Sequence, residues 1–287
     1  MVHTHLFFQG TAKQVRREIP PVAEHWPAAK AGPVADAGQL LPLIFSLTQL
    51  SLDRYRLPAF QRRVPACLRR LRVATEQEAC RKIFERPAQA YELLDVVLLG
   101  VSGFFRDASV FDALEHSVLP RLLKGAGRIR IWSSACSAGQ ELYSVAMLLD
   151  DLGGLGRAEL VGTDCRGSAI TRAAAGVYLR TEAECLANRG HQARASKTSV
   201  EINPFLRDCI TWRKTDLLAG AEPGPWHLIL WRNMAIYLDA PIAAKLWHAL
   251  FQQLAPGGYI VGGKADFPPA DLPLIRRSRC IYQKPPL

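Results

Sequence analysis

Residues Trp226 to Trp231 read Trp-His-Leu-Ile-Leu-Trp, a continuous apolar run bounded by polar and turn-forming residues. Such a run is typical of a strand buried on both faces, as in a parallel sheet with helices packed on either side. No other stretch narrows the fold as much. Around it the pattern alternates. Arg128–Ser134 and Leu160–Thr163 predict strands, the second ending at Asp164, and Cys209–Arg213 predicts a third. Helices are expected over Phe111–Leu123, from about Gln140 to Leu152, over Ser168–Ala175, and where Ile242, Leu246, Leu250 and Leu254 share a face. Pro256, Gly257 and Gly258 break that last helix before a strand at Tyr259–Val261, and Arg279–Gln283 predicts a final edge strand. The polar stretch 179–208 reads as an insertion. Strands alternating with helices give an α/β fold with a mostly parallel sheet covered on both faces.

Three regions follow. Residues 1–38 are rich in Pro, Ala and Gly without a steady period and predict a poorly ordered arm. Residues 39–108 predict short helices, with Leu40, Leu41, Ile44, Leu47 and Leu50 at helical spacing and Pro58, Pro65 and Pro87 as breaks. Residues 109–287 hold the sheet. Seven cysteines without a C-x-x-C pair fit reduced thiols, and hence a cytoplasmic location, better than a disulfide frame. No His/Cys cluster has metal-ligand spacing, so no metal is expected. There is no uncharged apolar run of about 18 residues, so no membrane insertion is expected, and no secretory signal pattern. The net charge of +10 points to an acidic partner without choosing among nucleic acid, membrane and protein. Its arginines gather early, at Arg62, Arg63, Arg69, Arg70, Arg72, Arg81 and Arg86.

In sheets of this kind ligands sit beyond the carboxyl ends of the strands. The first strand runs into a loop of small residues, Ser133 to Gly139 followed by Gln140 and Glu141, where backbone N–H groups at a helix start can approach a ligand. Ala135 lies in that loop. Asp164, at the end of the second strand, is placed to accept ribose hydroxyls, or to cap the helix that follows. Arg232 and Asn233 come directly after the buried run, with Tyr237 four residues on. Gly103-Phe104-Phe105-Arg106-Asp107 sits where the two folded regions join, and offers aromatic rings and a cation, or an ordinary hydrophobic hinge.

Taken in order, these segments resemble the CheR-type chemoreceptor glutamate methyltransferases. Val101–Asp107 is similar to the family's L-T-x-F-F-R-E/D segment, and Trp132–Ser144 to its W-S-A-A-C-S-T-G-E-E-P-Y-S loop. Thr163-Asp164 with Ala173–Tyr178 resembles S-D-I-D…A-x-x-G-x-Y. Trp231–Leu238 resembles C-R-N-V-x-I-Y-F, and Leu254–Gly263 resembles L-x-P-G-G-x-L-x-x-G. The resemblance covers about residues 45–285. It implies a Rossmann-like class I methyltransferase sheet preceded by a small all-α N-terminal domain. It implies S-adenosylmethionine as methyl donor, S-adenosylhomocysteine as product, and no metal. Carried over by position, Ser102 and Arg106 border donor and acceptor. Glu141 and Asp164 hold the amino-acid and ribose portions, and Asp216 and Leu217 stand beside the adenine. Arg232 and Asn233 line the pocket floor, and Tyr237 stands near the transferring methyl. The implied partner is a glutamate-rich helical region of a chemoreceptor or related signalling protein, against which Arg62, Arg63, Arg69 and Arg70 could dock by charge. Nucleic acid is not the expected partner.

The chain departs from the family pattern at Gly100 (commonly Asn), Gln140, Leu142, Arg166 (commonly acidic), Asp216 (commonly Asn) and Gly263-Lys264-Ala265-Asp266, where G-H-S-E is usual. Nor does 179–208 show a clear copy of the family's accessory β-hairpin. Two other readings stay open. One is a diverged donor-binding protein that acts as an interaction module. The other is a nucleic-acid methyltransferase, against which stands the lack of an N-P-P-Y-like loop after Trp231.

Overall fold

The chain after residue 37 is seen in a computed structural model that describes residues 38–286 apart from Leu99, Val101, Ala126, Asn188, Gly190 and His191. The arm expected over 1–38 lies outside the described residues, Gly38 excepted. Five short helices come first: α1 (Leu40–Leu47), α2 (Leu57–Gln61), α3 (Val64–Leu71), α4 (Glu76–Glu85) and α5 (Gln89–Val97). They are followed by α6 (Ala108–Ala113) and α7 (Leu119–Leu123), then β1 (Ile129–Ser134), α8 (Gln140–Asp151), β2 (Ala158–Asp164) and α9 (Gly167–Ala175). Next come β3 (Val177–Leu179), β4 (Ala193–Ala195), β5 (Ser199–Ile202), α10 (Pro204–Arg207), β6 (Ile210–Lys214) and β7 (Trp226–Trp231). The chain closes with α11 (Ala240–Gln252), β8 (Leu254–Gly262), β9 (Ile275–Arg276) and β10 (Ile281–Gln283).

The apolar run forms β7, near the centre of a seven-stranded sheet ordered β6-β2-β1-β7-β8-β10-β9. Strands β6 through β8 are parallel, and β10 and β9 complete the sheet antiparallel. Alternation within β7 and β1 feeds two cores. Leu228, Leu230, Ile129 and Ile131 pack with Leu142, Val145 and Leu149 of α8 and with Phe111, Leu114 and Leu119. Ile229, Trp231 and Trp132 pack with Trp247 and Leu250 of α11 and with Leu40, Ile44, Phe60 and Leu93 of the leading helices. Both faces are therefore covered, as a sheet of this kind requires. From β1 the chain crosses to β2 on one side, and β7 returns on the other. That reversal opens a crevice at the carboxyl ends of β1 and β7.

Four expectations change. The single helix over Phe111–Leu123 is interrupted by a π-helical turn at Leu114–Val118. Pro120 follows that turn; it has no N–H and its ring crowds the carbonyl four residues back, so the wider turn relieves it. The predicted strand at Tyr259 begins earlier, at Leu254, which pairs with Trp226; the register then shifts before Leu228 pairs with Tyr259, and the extra residues on β8 include Pro256, which cannot donate to the ladder. The final strand, β10, is covered by β9 and is not the edge. The stretch 179–208 is not a plain insertion. It supplies β4 and β5, an antiparallel pair, to a three-stranded sheet ordered β3-β5-β4, so a hairpin is present where none was legible. Tyr178, Val200 and Ile202 face inward and are buried, while Val177 and Leu179 face solvent.

Two measurements test this packing. A Cβ on Gly162 of β2 would lie 2.3 Å from the Trp212 ring and 3.3 Å from Cys136 Sγ. Gly162→Val should cost about 1–3 kcal/mol in a denaturant midpoint. His227 Nδ1 accepts from the Arg130 backbone N–H at 3.0 Å, tying β1 to β7. Burial, with the Arg130 charge, holds its pKa below the ordinary 6.5. The unfolded chain thus takes up this proton first. The stability that neutral His227 contributes is complete above 6.5 and is lost as pH falls through 6.5 towards the folded value. His227→Gln should flatten the decline in melting temperature over that window, and an unchanged slope would assign the decline elsewhere.

Candidate functional site

The crevice is a cleft of about 800 Å³ counted out to its open mouth. Its walls come from the carboxyl ends of β1, β2 and β7, from the segment before α6, and from the leading helices. Eight residues predicted from sequence line it: Ser102, Arg106, Ala135, Glu141, Asp164, Arg232, Asn233 and Tyr237. Asp216 and Leu217 are not among its lining. They follow β6, where Thr215 N donates to Asp164 O at 3.0 Å, and Asp216 Oδ1 accepts from Leu218 N at 2.9 Å while Leu217 is buried in the core. Tyr55, Leu98, Ser137, Cys165, Arg166 and Met234 also line the cleft, and sequence reading had not singled them out as site residues.

The backbone around the cleft is unusual. Phe105, Asp107, Ala135, Ser137 and Asn233 all have left-handed φ, between 49° and 64°. Such conformations cost a non-glycine residue on the order of 1–3 kcal/mol each and persist where the surroundings over-determine them. Gly139, at φ 88°, caps α8, and a Cβ there would lie 2.7 Å from the Trp212 ring and 2.9 Å from Ala173. This is the one position in the small-residue loop where glycine is required on both counts. The loop thereby brings its backbone to the ligand side of the sheet.

Charged groups hold these turns in place. The Arg232 guanidinium, 4% exposed, donates to Glu141 Oε2 at 2.9 Å, to Asp107 Oδ2 at 2.6 Å and to the Arg106 carbonyl at 3.0 Å. Ser133 Oγ donates to the other Glu141 oxygen at 3.1 Å. Lys264 pairs with the other Asp107 oxygen, Oδ1. Burial opposes ionisation of Asp107, but its bond to Lys264 and the charges of Arg232 and Lys264 hold its carboxyl below the usual range. Asp266 Oδ2 accepts from Asn233 N at 2.7 Å and from Gly263 N at 2.9 Å, and so shapes the turn that presents Asn233. Burial pushes the Asp266 carboxyl up. Lys264 and Asp266, departures from the family pattern, are thus the groups that brace Asp107 and Asn233.

Asp164 stands at the end of β2. Ser137 N donates to it at 2.9 Å, and Arg166 donates from its backbone N and from its side chain. Tyr237 is held from the helical side: its ring stacks on Phe60 at 5.9 Å and its carbonyl accepts from Arg56 N at 2.8 Å. Tyr55, bridged to Leu238, completes that wall. Burial first, then the Cys165, Asp216 and Asp164 charges, push the Tyr55 phenol far up, so it stays a neutral hydroxyl. A tyrosine between two short helices carries no signal of this kind in the sequence.

Residues 100–271 match the family described as CheR methyltransferase, SAM binding domain. The chain is 31% identical over 240 residues to a chemotaxis protein methyltransferase of Listeria monocytogenes, an alignment spanning 82% of this chain and 92% of that protein. It is 32% identical over 192 residues to chemotaxis protein methyltransferase 1 of Pseudomonas aeruginosa, spanning 61% and 68% of the two. A match over most of the sheet and cleft, together with that first relative, identifies the fold as the Rossmann-like methyltransferase sheet that the strand order describes. The chain belongs to the CheR methyltransferase family and is an S-adenosylmethionine-dependent methyltransferase.

Proposed function

We propose that this methyltransferase esterifies glutamate side chains on a chemoreceptor or a related signalling protein. One observation carries the reading: Arg106 and Tyr237 line the same cleft as Glu141 and Asp164. A cation suited to an acceptor carboxylate thus borders acids suited to a nucleoside donor. The relatives named above are chemotaxis methyltransferases, which favours a chemoreceptor acceptor.

The residue types fit the chemistry. A glutamate side chain, with a reference pKa of about 4.3, is already ionised near neutral pH and needs no general base. The donor supplies an electrophilic methyl on a sulfonium; a carboxylate oxygen forms the new bond to that carbon as the bond to sulfur breaks. The protein has to align the atoms, exclude water and orient the anion. Arg106 offers a two-pronged match to a carboxylate. Its hold must be moderate, since the carboxylate charge disappears as the ester forms. Tyr237, fixed against Phe60, walls and aligns the reacting groups. On the donor side, Glu141 takes the amino-acid portion and Asp164 the ribose, and the adenine end would extend past Asp164 toward Asp216 and Leu217, which lie beyond the cleft lining. Ser102 and Ala135 border the donor, and Arg232 and Asn233 form the floor. Arg62, at the C-cap of α2, and Arg69 and Arg70 on α3 are exposed, as docking against acidic helices requires, whereas Arg63 is half-buried.

Calorimetric titration tests the donor half. S-adenosylmethionine and S-adenosylhomocysteine should both bind, and Asp164→Ala should weaken both. The acceptor half rests on Arg106. Arg106→Ala should keep donor binding and lower transfer to a receptor fragment by about a hundredfold, the loss expected when a reactant is misplaced. Intact transfer in that variant would remove Arg106 from this role.

A further inference from the structure

Arg166 reaches over the carboxylate assigned to the ribose. Asp164 Oδ1 accepts from Arg166 N at 3.0 Å and from Arg166 Nε at 3.0 Å. Asp164 Oδ2 accepts from Ser137 N at 2.9 Å and from Arg166 Nη2 at 3.3 Å. An ionised carboxylate has about four lone-pair sites, so these four donors fill it. Ribose hydroxyls could enter only by displacing one of them. Two of the four are backbone N–H groups of turns that frame the cleft. The two that can leave without unfolding a turn both belong to the Arg166 guanidinium.

The guanidinium is held on its far side as well. Nη1 donates to the Leu98 carbonyl at 2.9 Å and Nη2 to Ser137 Oγ at 3.2 Å. Its room comes from Gly100: a Cβ there would lie 2.3 Å from Arg166 Nη2, 2.7 Å from Nη1 and 2.3 Å from Ser137 Oγ, which itself accepts from Nη2. The two departures from the family pattern, glycine at 100 and arginine at 166, are therefore one substitution in space. A side chain at 100 and the guanidinium of 166 cannot share that volume.

Resting on the donor-pocket reading above, we propose that Arg166 competes with the ribose hydroxyls of the donor for Asp164, which makes residue 166, together with Gly100, a determinant of donor affinity. The guanidinium acts as a latch. Its charge-assisted bonds to Asp164 are lost when the donor's hydroxyls take their place, and the apparent affinity is lowered by that exchange. Residue 166 begins the turn into α9 with extended backbone, so its side chain can swing without disturbing the helix.

The test titrates S-adenosylhomocysteine into the wild-type chain, Arg166→Ala and Gly100→Ala, with a ligand-free melt of each. Arg166→Ala should bind about tenfold tighter, a fold-change of about 1.4 kcal/mol, while its ligand-free melting temperature falls because a buried carboxylate has lost its partner. A salt bridge with only a structural role would weaken binding and stability together. Gly100→Ala covers the case in which Arg166→Ala does not fold. Its Cβ pushes aside the Arg166 guanidinium and the Ser137 hydroxyl that holds it, and should also tighten binding with Arg166 still present. Wild-type binding with no gain in either folded variant would overturn the latch and leave the donor pocket standing. Absence of binding in all three folded proteins would overturn the pocket reading, and the latch with it.

Discussion

The cleft depends on one buried cation. Arg232 stands at the carboxyl end of β7 and bonds to Glu141 at the start of α8, and to Asp107 and the Arg106 carbonyl before α6. Three stretches distant in the chain are thereby brought to one point. Removing a partner from a buried charge is expensive, on the order of 3–5 kcal/mol, so each member constrains the others. The left-handed turns at Phe105, Asp107 and Asn233 cluster about this guanidinium, which is where strained backbone can be over-determined. Lys264 and Asp266 extend the network by bracing Asp107 and the Asn233 turn.

This network sets the floor, and the leading helices set a wall. Their core is continuous with Trp132, Ile229 and Trp231 on one face of the sheet, so Tyr55 and Tyr237 meet the cleft from a packed support and not from a free loop. No described helix is long and apolar enough to cross a membrane, and the seven cysteines are free thiols. Each acid of the cleft is served by its own arginine, Glu141 by Arg232 and Asp164 by Arg166. Glu141 retains acceptor capacity beyond Ser133 and Arg232, whereas Asp164 is filled by Ser137 and Arg166. The two acids that look alike in sequence therefore differ in what they can still accept.

The legible parts were those in which one residue's surroundings follow from its place on a strand. An apolar hexapeptide had to be a central strand, and the residues just beyond β1, β2 and β7 had to meet at the crevice. Hence Ala135, Glu141, Asp164, Arg232 and Asn233 are legible in the strand pattern, and all five line the cleft. What could not be read were pairings between distant side chains. Arg166 and Gly100 look like two unrelated departures until the guanidinium is seen in the glycine's space. Lys264 and Asp266 look like lost family residues until their bonds to Asp107 and Asn233 appear. The β3-β5-β4 sheet is hard to read because its strands are only three or four residues long and β3 turns the apolar Val177 and Leu179 to solvent, and the π-helical turn because Leu114–Val118 carries no sequence mark of its own before Pro120.

The central claim is transfer to a carboxylate, and the bond formed reports it directly. The chain would be incubated with methyl-labelled S-adenosylmethionine and a chemoreceptor cytoplasmic fragment, and the labelled fragment then treated with mild alkali. A glutamate methyl ester predicts label that is released as volatile methanol. Label that stays on the fragment after alkali would mean methylation of nitrogen or another stable site, and would contradict the account.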